Sequence, residues 1–177
     1  MSANDEMPTA SPFHSGEVEL QRSLGVAERM EQFGRRVIRD HMPDQHRDFF
    51  EQLPFIVAGA VDSDGDVWAT LLTGGPGFIQ SPDPRQLALT LPMDPSDPAT
   101  NGFQQSDAIG ILGIELHSRR RNRMNGAIGA VSENGFTIEV EHSFGNCPQY
   151  IQTRNWKMSA PNERIAPIAE QFTSLDD

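Results

Sequence analysis

The chain has a single cysteine, Cys147, among 177 residues. One thiol cannot close an intramolecular disulfide, and a lone thiol suits a reducing compartment. No apolar run approaches the roughly 20 residues needed to span a bilayer. The stretch MSANDEMPTASPFHSGE lacks the basic start and apolar centre of a secretory signal. Positive charge is scarce, with Lys+Arg 14 against Asp+Glu 25 and a net charge of −11. Such a surface repels nucleic acid and anionic membrane. The expectation is a cytoplasmic protein with neither as a partner. His14, His41, His46, His117 and His142 share no ligand spacing, and Cys147 does not complete a zinc set, so no metal is expected. There is no GxSxG elbow, the surroundings of Cys147 match no protease signature, and no residue stands out as a general base.

What is present fits one domain with an appended helical arm. Residues 1–16 are polar, with Pro8 and Pro12, and read as irregular. Over residues 17–41, Leu20, Leu24, Met30, Phe33, Val37 and Ile38 recur at helical spacing, which predicts one helix weakened by Gly25 and Gly34. Residues 46–53 predict a second helix, completing an arm over 17–54. From Phe55 the period changes. PFIVAGAVDSDGDVWATLLTG reads as a hairpin whose first strand is central, and residues 77–81 as a third strand. Asp83 as N-cap and Pro84 at the first helical position predict a short helix in DPRQLAL. Residues 91–106 form a Pro- and Asp-rich loop, 107–116 a buried strand, and 126–145 two strands joined at Glu133-Asn134-Gly135. A terminal helix is expected from about Arg164. The fold class expected is mainly β (α+β), a small antiparallel barrel over 55–177 behind a helical arm.

Three motifs invite chemistry. DSDGD, residues 62–66, starts like a calcium loop, but Gly65 is at the fourth position and Thr73 at the twelfth, so a hairpin turn explains it. TGGPGF lacks the spacing and lysine of a phosphate loop and reads as a tight turn where backbone approaches a ligand or another strand. HSRRRNRMNG, residues 117–126, is the one strongly basic patch. It suits a solvated strand end, an RNA contact without stacking aromatics, or a small phosphorylated ligand. In a strand, Arg119, Arg121 and Arg123 would share a face.

Taken in order, the arm, PFIVAGAVDSDGDVWATLLTGGPGFIQSPDPRQLAL, DAIGILGIELHSRRRNRMNG and FTIEVEHSFGNCPQYIQ resemble one family over residues 13–154. It is the pyridoxamine 5'-phosphate oxidase-like FMN-binding split-barrel flavoproteins, in the branch with GNCPxYIQ near its end. The resemblance implies an antiparallel split β-barrel, FMN-binding type, that forms a homodimer with FMN in the intersubunit clefts. It implies Trp68, Ala69, Thr70 and Leu71 beside the ring. Ile79, Gln80 and Ser81 would lie near the ribityl chain and phosphate, with Arg85 at the following helix start. There the family often has Ser-Arg-Lys, whereas this chain has Asp-Pro-Arg-Gln, one basic residue fewer. Arg121 and Arg123 are the compensating cations. Arg123 and Asn125 match the RxNG segment, and Asn146 and Cys147 match the NCP turn near the flavin. Cys147 then reads as a small pocket-lining residue, with Tyr150 and Gln152 alternating on a following strand. The implied activity is FMN-dependent oxidoreduction of a small-molecule redox substrate. The alternative is a non-catalytic module carrying flavin, haem or another planar ligand. Pyridoxamine phosphate oxidation itself is not expected, because no C-terminal segment resembles the one that binds that substrate.

Overall fold

The computed structural model of the chain describes residues 11–157. The helix expected from Arg164 lies outside them. Three helices precede the sheet: α1 (Ser15–Ser23), α2 (Ala27–Val37) and α3 (Asp44–Glu51). His14 caps α1, with Nδ1 accepting from the amides of Gly16 and Glu17 while the Glu17 carboxylate accepts from the His14 amide. This reciprocal pairing satisfies N–H groups that lack intrahelical partners. The single helix expected over 17–41 is broken. Gly25 takes φ +66, a left-handed conformation that ends α1. The second helix ends at Val37, where the chain turns extended. Arg39 and Ser143 then exchange backbone hydrogen bonds of 3.1 and 2.7 Å.

Seven strands follow: β1 (Phe55–Val61), β2 (Val67–Thr73), β3 (Ile79–Asp83), β4 (Gln86–Thr90), β5 (Ala108–Glu115), β6 (Arg120–Ser132) and β7 (Gly135–Asn146). All pairings are antiparallel, in the order β2-β1-β5-β6-β7-β4-β3, giving a mainly β, open, barrel-like sheet. The expected central position of β1 holds, between β2 and β5. The short helix expected at DPRQLAL is absent. Asp83 pairs with Gln86, and Pro84-Arg85 form the turn of a β3–β4 hairpin. The Asp83 carboxylate accepts from the Arg85 amide at 2.7 Å, so it closes a turn rather than capping a helix. Leu87 and Leu89 alternate inward while β4 pairs with β7, and that long-range ladder overrides the local helix signal.

The period of two sends one face of each strand inward. Ile56, Ala58 and Ala60 of β1, Ile109 and Ile111 of β5, Met124 and Ile128 of β6 and Ile138 of β7 are buried together. Helix α3 closes one end of this core with Phe49 and Phe50, joined by Leu53 just after the helix. Its seat requires Gly113, because a Cβ there would lie 2.6 Å from Phe49 and 2.7 Å from Leu53. Gly113→Ala should therefore lower stability by about 1–3 kcal/mol through overpacking, measured by denaturant unfolding.

A polar contact also ties α3 to the sheet. His46, 8% exposed, sits 2.8 Å from the hydroxyl of the fully buried Ser143. Burial, with Arg39 and Arg120 nearby, pushes its pKa down from 6.5 to about 4. Across that interval the unfolded chain binds a proton that the folded chain does not. Stability present above pH 6.5 should thus fall, by about 3 kcal/mol, as the pH drops toward 4. Unfolding measured across this range should show the loss in the wild type and a flatter profile in His46→Gln. Equal slopes would remove His46 as the cause.

Among the described residues no helix is long and apolar enough to cross a membrane, and no three His, Cys, Asp or Glu side chains are grouped to hold a metal.

Candidate functional site: a glycine-floored trough

The outward face of β2, β1, β5, β6 and β7 is ordered by register into rows. One row runs Ala69, Gly59, Gly110, Asn125, His142. The next runs Leu71, Val57, Leu112, Arg123, Phe144. Beyond it lie Ile114, Arg121 and Asn146. The first row starts with three positions of almost no side chain. The result is an open concavity of about 300 Å³, with Gly59, Gly110 and Ala69 as its floor, Val57 and Leu112 along one side, and Arg123 and Asn125 at its polar end.

The two floor glycines differ from Gly113. A Cβ on Gly59 would come no closer than 3.8 Å to any neighbour, and one on Gly110 no closer than 3.6 Å, to Asn125 Oδ1. Neither residue has a positive φ. Ordinary contact would result in both cases, so the fold's own packing does not demand glycine there. Glycine inside a strand costs about 0.5–1 kcal/mol relative to Ala. Both positions therefore sacrifice stability to keep a surface low, which suits close approach by something outside the fold.

The pleat divides the four β2 residues expected beside a ring. Ala69 and Leu71 face the trough side. Trp68 and Thr70 face inward, where Trp68 Nε1 donates to Asp62 Oδ2 at 2.7 Å and Thr70 donates to the Asp97 carboxylate. The Trp68 bond, with turn amides, holds the Asp62 carboxyl below the usual carboxylate range. The DSDGD segment is thus a hairpin turn closed by its own side chain.

The basic cluster also divides. Arg119 has φ +62 in the turn before β6 and does not share a strand face with the others. Arg120 faces inward, donating to the Gln45 carbonyl at 2.6 Å with its guanidinium 4.9 Å from the Phe49 ring centroid. Arg121 and Arg123 face outward. Arg121 Nη2 donates to the Cys147 carbonyl at 2.7 Å, while its Nε and the Asn146 Oδ1 are buried without a partner. The Arg123 guanidinium lies 6.0 Å from the Phe144 ring centroid, and no carboxylate among the described residues pairs with it. The Cys147 thiol is exposed. Among the described residues no strand follows it: Ile151 N–H donates to the Pro148 carbonyl in a turn, and Tyr150 takes φ +71, so Tyr150 and Gln152 do not alternate on a strand.

Ile79, Gln80, Ser81 and Arg85 lie on the β3–β4 hairpin at the other end of the strand order. Ile79 is in the core and Gln80 is exposed. The Ser81 hydroxyl accepts from Arg47 Nε at 3.0 Å and contacts the Asp83 carbonyl at 2.9 Å, and its amide donates to Glu51 at 3.0 Å. Arg85 pairs with Asp40 at 2.6 Å. Hydrogen bonds from His41 and Arg85 hold the Asp40 carboxyl below its ordinary range. The Ser81 hydroxyl and the Arg85 guanidinium are thus engaged within the chain.

Val57, Gly59, Gly110, Leu112 and His142 were not among the residues singled out by sequence. A signal existed for two of them, since isolated glycines inside the apolar runs FIVAGAV and AIGILGIE mark close approach.

No family model and no curated protein matches the chain. Among solved structures it is similar to HupZ of Group A Streptococcus, at 13% identity over 64% of this chain and 99% of that one, with TM-score 0.46. It is also similar to a candidate pyridoxamine 5'-phosphate oxidase of Lactobacillus delbrueckii, at 13% identity over 60% and 95% of the two chains, with TM-score 0.47. An F420 reductase follows at 11% identity and TM-score 0.37, over 60% and 97%. None of them assigns a function to this chain.

If the floor is kept low for a ligand, Gly59→Ala should raise thermal stability, by about 0.5–1 kcal/mol, rather than lower it. A calorimetric melt would decide, and marked destabilisation would mean the fold itself needs that glycine.

Proposed function

We propose that the trough seats the ring of FMN and that the protein is an FMN-dependent oxidoreductase acting on a small redox substrate. The observation that carries this reading is the floor of Gly59, Gly110 and Ala69, which is flatter than packing requires and has cationic and amide groups at one end only. Small-residue floors suit planar rings, and aliphatic flanks such as Val57 and Leu112 suit their apolar faces. Arg123 and Arg121 supply charge-assisted donors for a phosphate carrying nearly two negative charges. The orphaned Arg121 Nε and Asn146 Oδ1 are a donor and an acceptor beside that end of the trough. Bound there, FMN would supply two-electron redox chemistry between a reduced donor and oxygen or a small organic acceptor. The chain's residues bind and orient it.

The trough is open on one side, and Val61, Val67 and Leu71 on the same sheet face are 50%, 80% and 56% exposed. A second copy of the chain laid on this face would bury those side chains and enclose the ring. The proposal therefore includes a homodimer.

A second reading has one observation in its favour. Ser81 and Arg85, the phosphate ligands implied by the resemblance, are engaged by Arg47 and Asp40. A module that binds a planar ligand chiefly through its ring, as carrier or sensor, would tolerate that loss.

Titration with FMN, followed by flavin fluorescence, tests the site. Arg123→Ala should weaken FMN binding by about 1.5–3 kcal/mol if the guanidinium holds the phosphate. Unchanged affinity would remove Arg123 from the site. Bleaching of the bound flavin by a reduced nicotinamide separates the enzyme from the carrier. Light scattering should give a dimer, and a monomer at working concentration would contradict the enclosed ring.

A further inference from the structure

We infer that His142, together with Asn125, reads the polar edge of the ring, which fixes the ring's direction along the trough; the inference rests on the flavin reading above. His142 pairs in register with Asn125, and Asn125 with Gly110, so the imidazole ends the same row that begins at Ala69. Its neighbours fix its side of the sheet. Ser143 is fully buried on the inner face, and Phe144, under the Arg123 guanidinium, is on the outer one. The pleat therefore turns His142 outward, toward the trough side. Asn125 leans over the floor, with Oδ1 3.6 Å from the place where a Cβ on Gly110 would stand.

The row is chemically asymmetric. Its β2 end is Ala69, flanked by Val67 and Leu71, and offers no side-chain donor or acceptor. Its β7 end offers the Asn125 amide, both donor and acceptor, and the imidazole, with one nitrogen of each kind when neutral. A flavin ring has the same asymmetry, with a methylated benzenoid end and a pyrimidine edge presenting carbonyl, N3–H and carbonyl. Strand spacings of about 4.8 Å let a tricycle about 10 Å long reach from the β1 floor to the β6–β7 pair. Matching polarity places the pyrimidine edge at Asn125 and His142 and the benzenoid end toward β2. The tail then runs across the next rows toward Arg123 and Arg121.

Riboflavin and 3-methylriboflavin, which lack the phosphate, isolate this contact. The wild-type chain should bind riboflavin about 10-fold more tightly than its N3-methylated form. His142→Phe keeps a ring of similar shape without nitrogens, and should lose most of that preference by weakening riboflavin. His142→Gln, which restores a donor and an acceptor, should recover part of it. Melting temperatures of both variants check that each is folded. A preference unchanged in His142→Phe, or absent in the wild type, would overturn the assignment of the polar edge while leaving the flavin site standing. A wild-type chain that binds neither riboflavin nor FMN would overturn both.

Discussion

The two-residue period of β1 and β5 is the constraint from which the rest follows. It sends Ile56, Ala58 and Ala60, with Ile109 and Ile111, into one core, and turns Val57, Gly59, Gly110 and Leu112 to the other side. A slip of one residue in either strand would exchange the two sets and destroy core and trough together. The register that stabilises the protein is therefore the same register that builds the proposed site. The glycines show how the two demands differ. Gly113 makes room for Phe49 of α3 and for Leu53 just beyond it, and serves the fold. Gly59 and Gly110 make room for nothing in the fold.

Charge is arranged on the same logic. In a chain of net charge −11, several arginines have intramolecular duties. Arg47 holds Ser81, Arg85 holds Asp40, and Arg120 binds the end of α3. Arg121 is half used, with Nη2 on the Cys147 carbonyl and Nε unpartnered. Arg123 has an aromatic ring beside it and no carboxylate among the described residues, so it is the cation best placed to meet an external anion. This concentrates the proposed phosphate contact at one end of β6 and β7, away from the β3–β4 hairpin.

Much of the sheet was legible in the sequence, for identifiable reasons. Continuous apolar runs marked β1 and β5, Asp and Gly marked the turn after β1, and Glu133-Asn134-Gly135 marked the β6–β7 hairpin. What local signals missed was decided by distant partners. Leu87 and Leu89 fit a helix or a strand, and pairing of β4 with β7 chose the strand. The break at Gly25 was visible only as a weak residue, because a left-handed backbone angle has no unique sequence mark. The site was less legible than the fold. Arg123, Asn125, Ala69 and Asn146 were singled out from motifs, and register brings the first three to the trough with Asn146 close by. His142 stood in a strand as one unremarkable histidine. Its place opposite Asn125 depends on the bulge at Glu141, since Asn125 pairs with His142 but Gly126 with Val140, and the residues do not announce it.

The central claim is that a ring lies on the Gly59–Gly110 floor. The most direct measurement is the backbone amide NMR spectrum of the isotopically labelled chain during addition of FMN. Stacking of an aromatic ring on a bare backbone shifts the nearest amide protons strongly. The account predicts the largest shifts at Gly59 and Gly110, smaller ones at Arg123 and Asn125, and little change on the β3–β4 hairpin. Saturating FMN that shifts Gln80, Ser81 and Arg85 while leaving both floor glycines unmoved would contradict it.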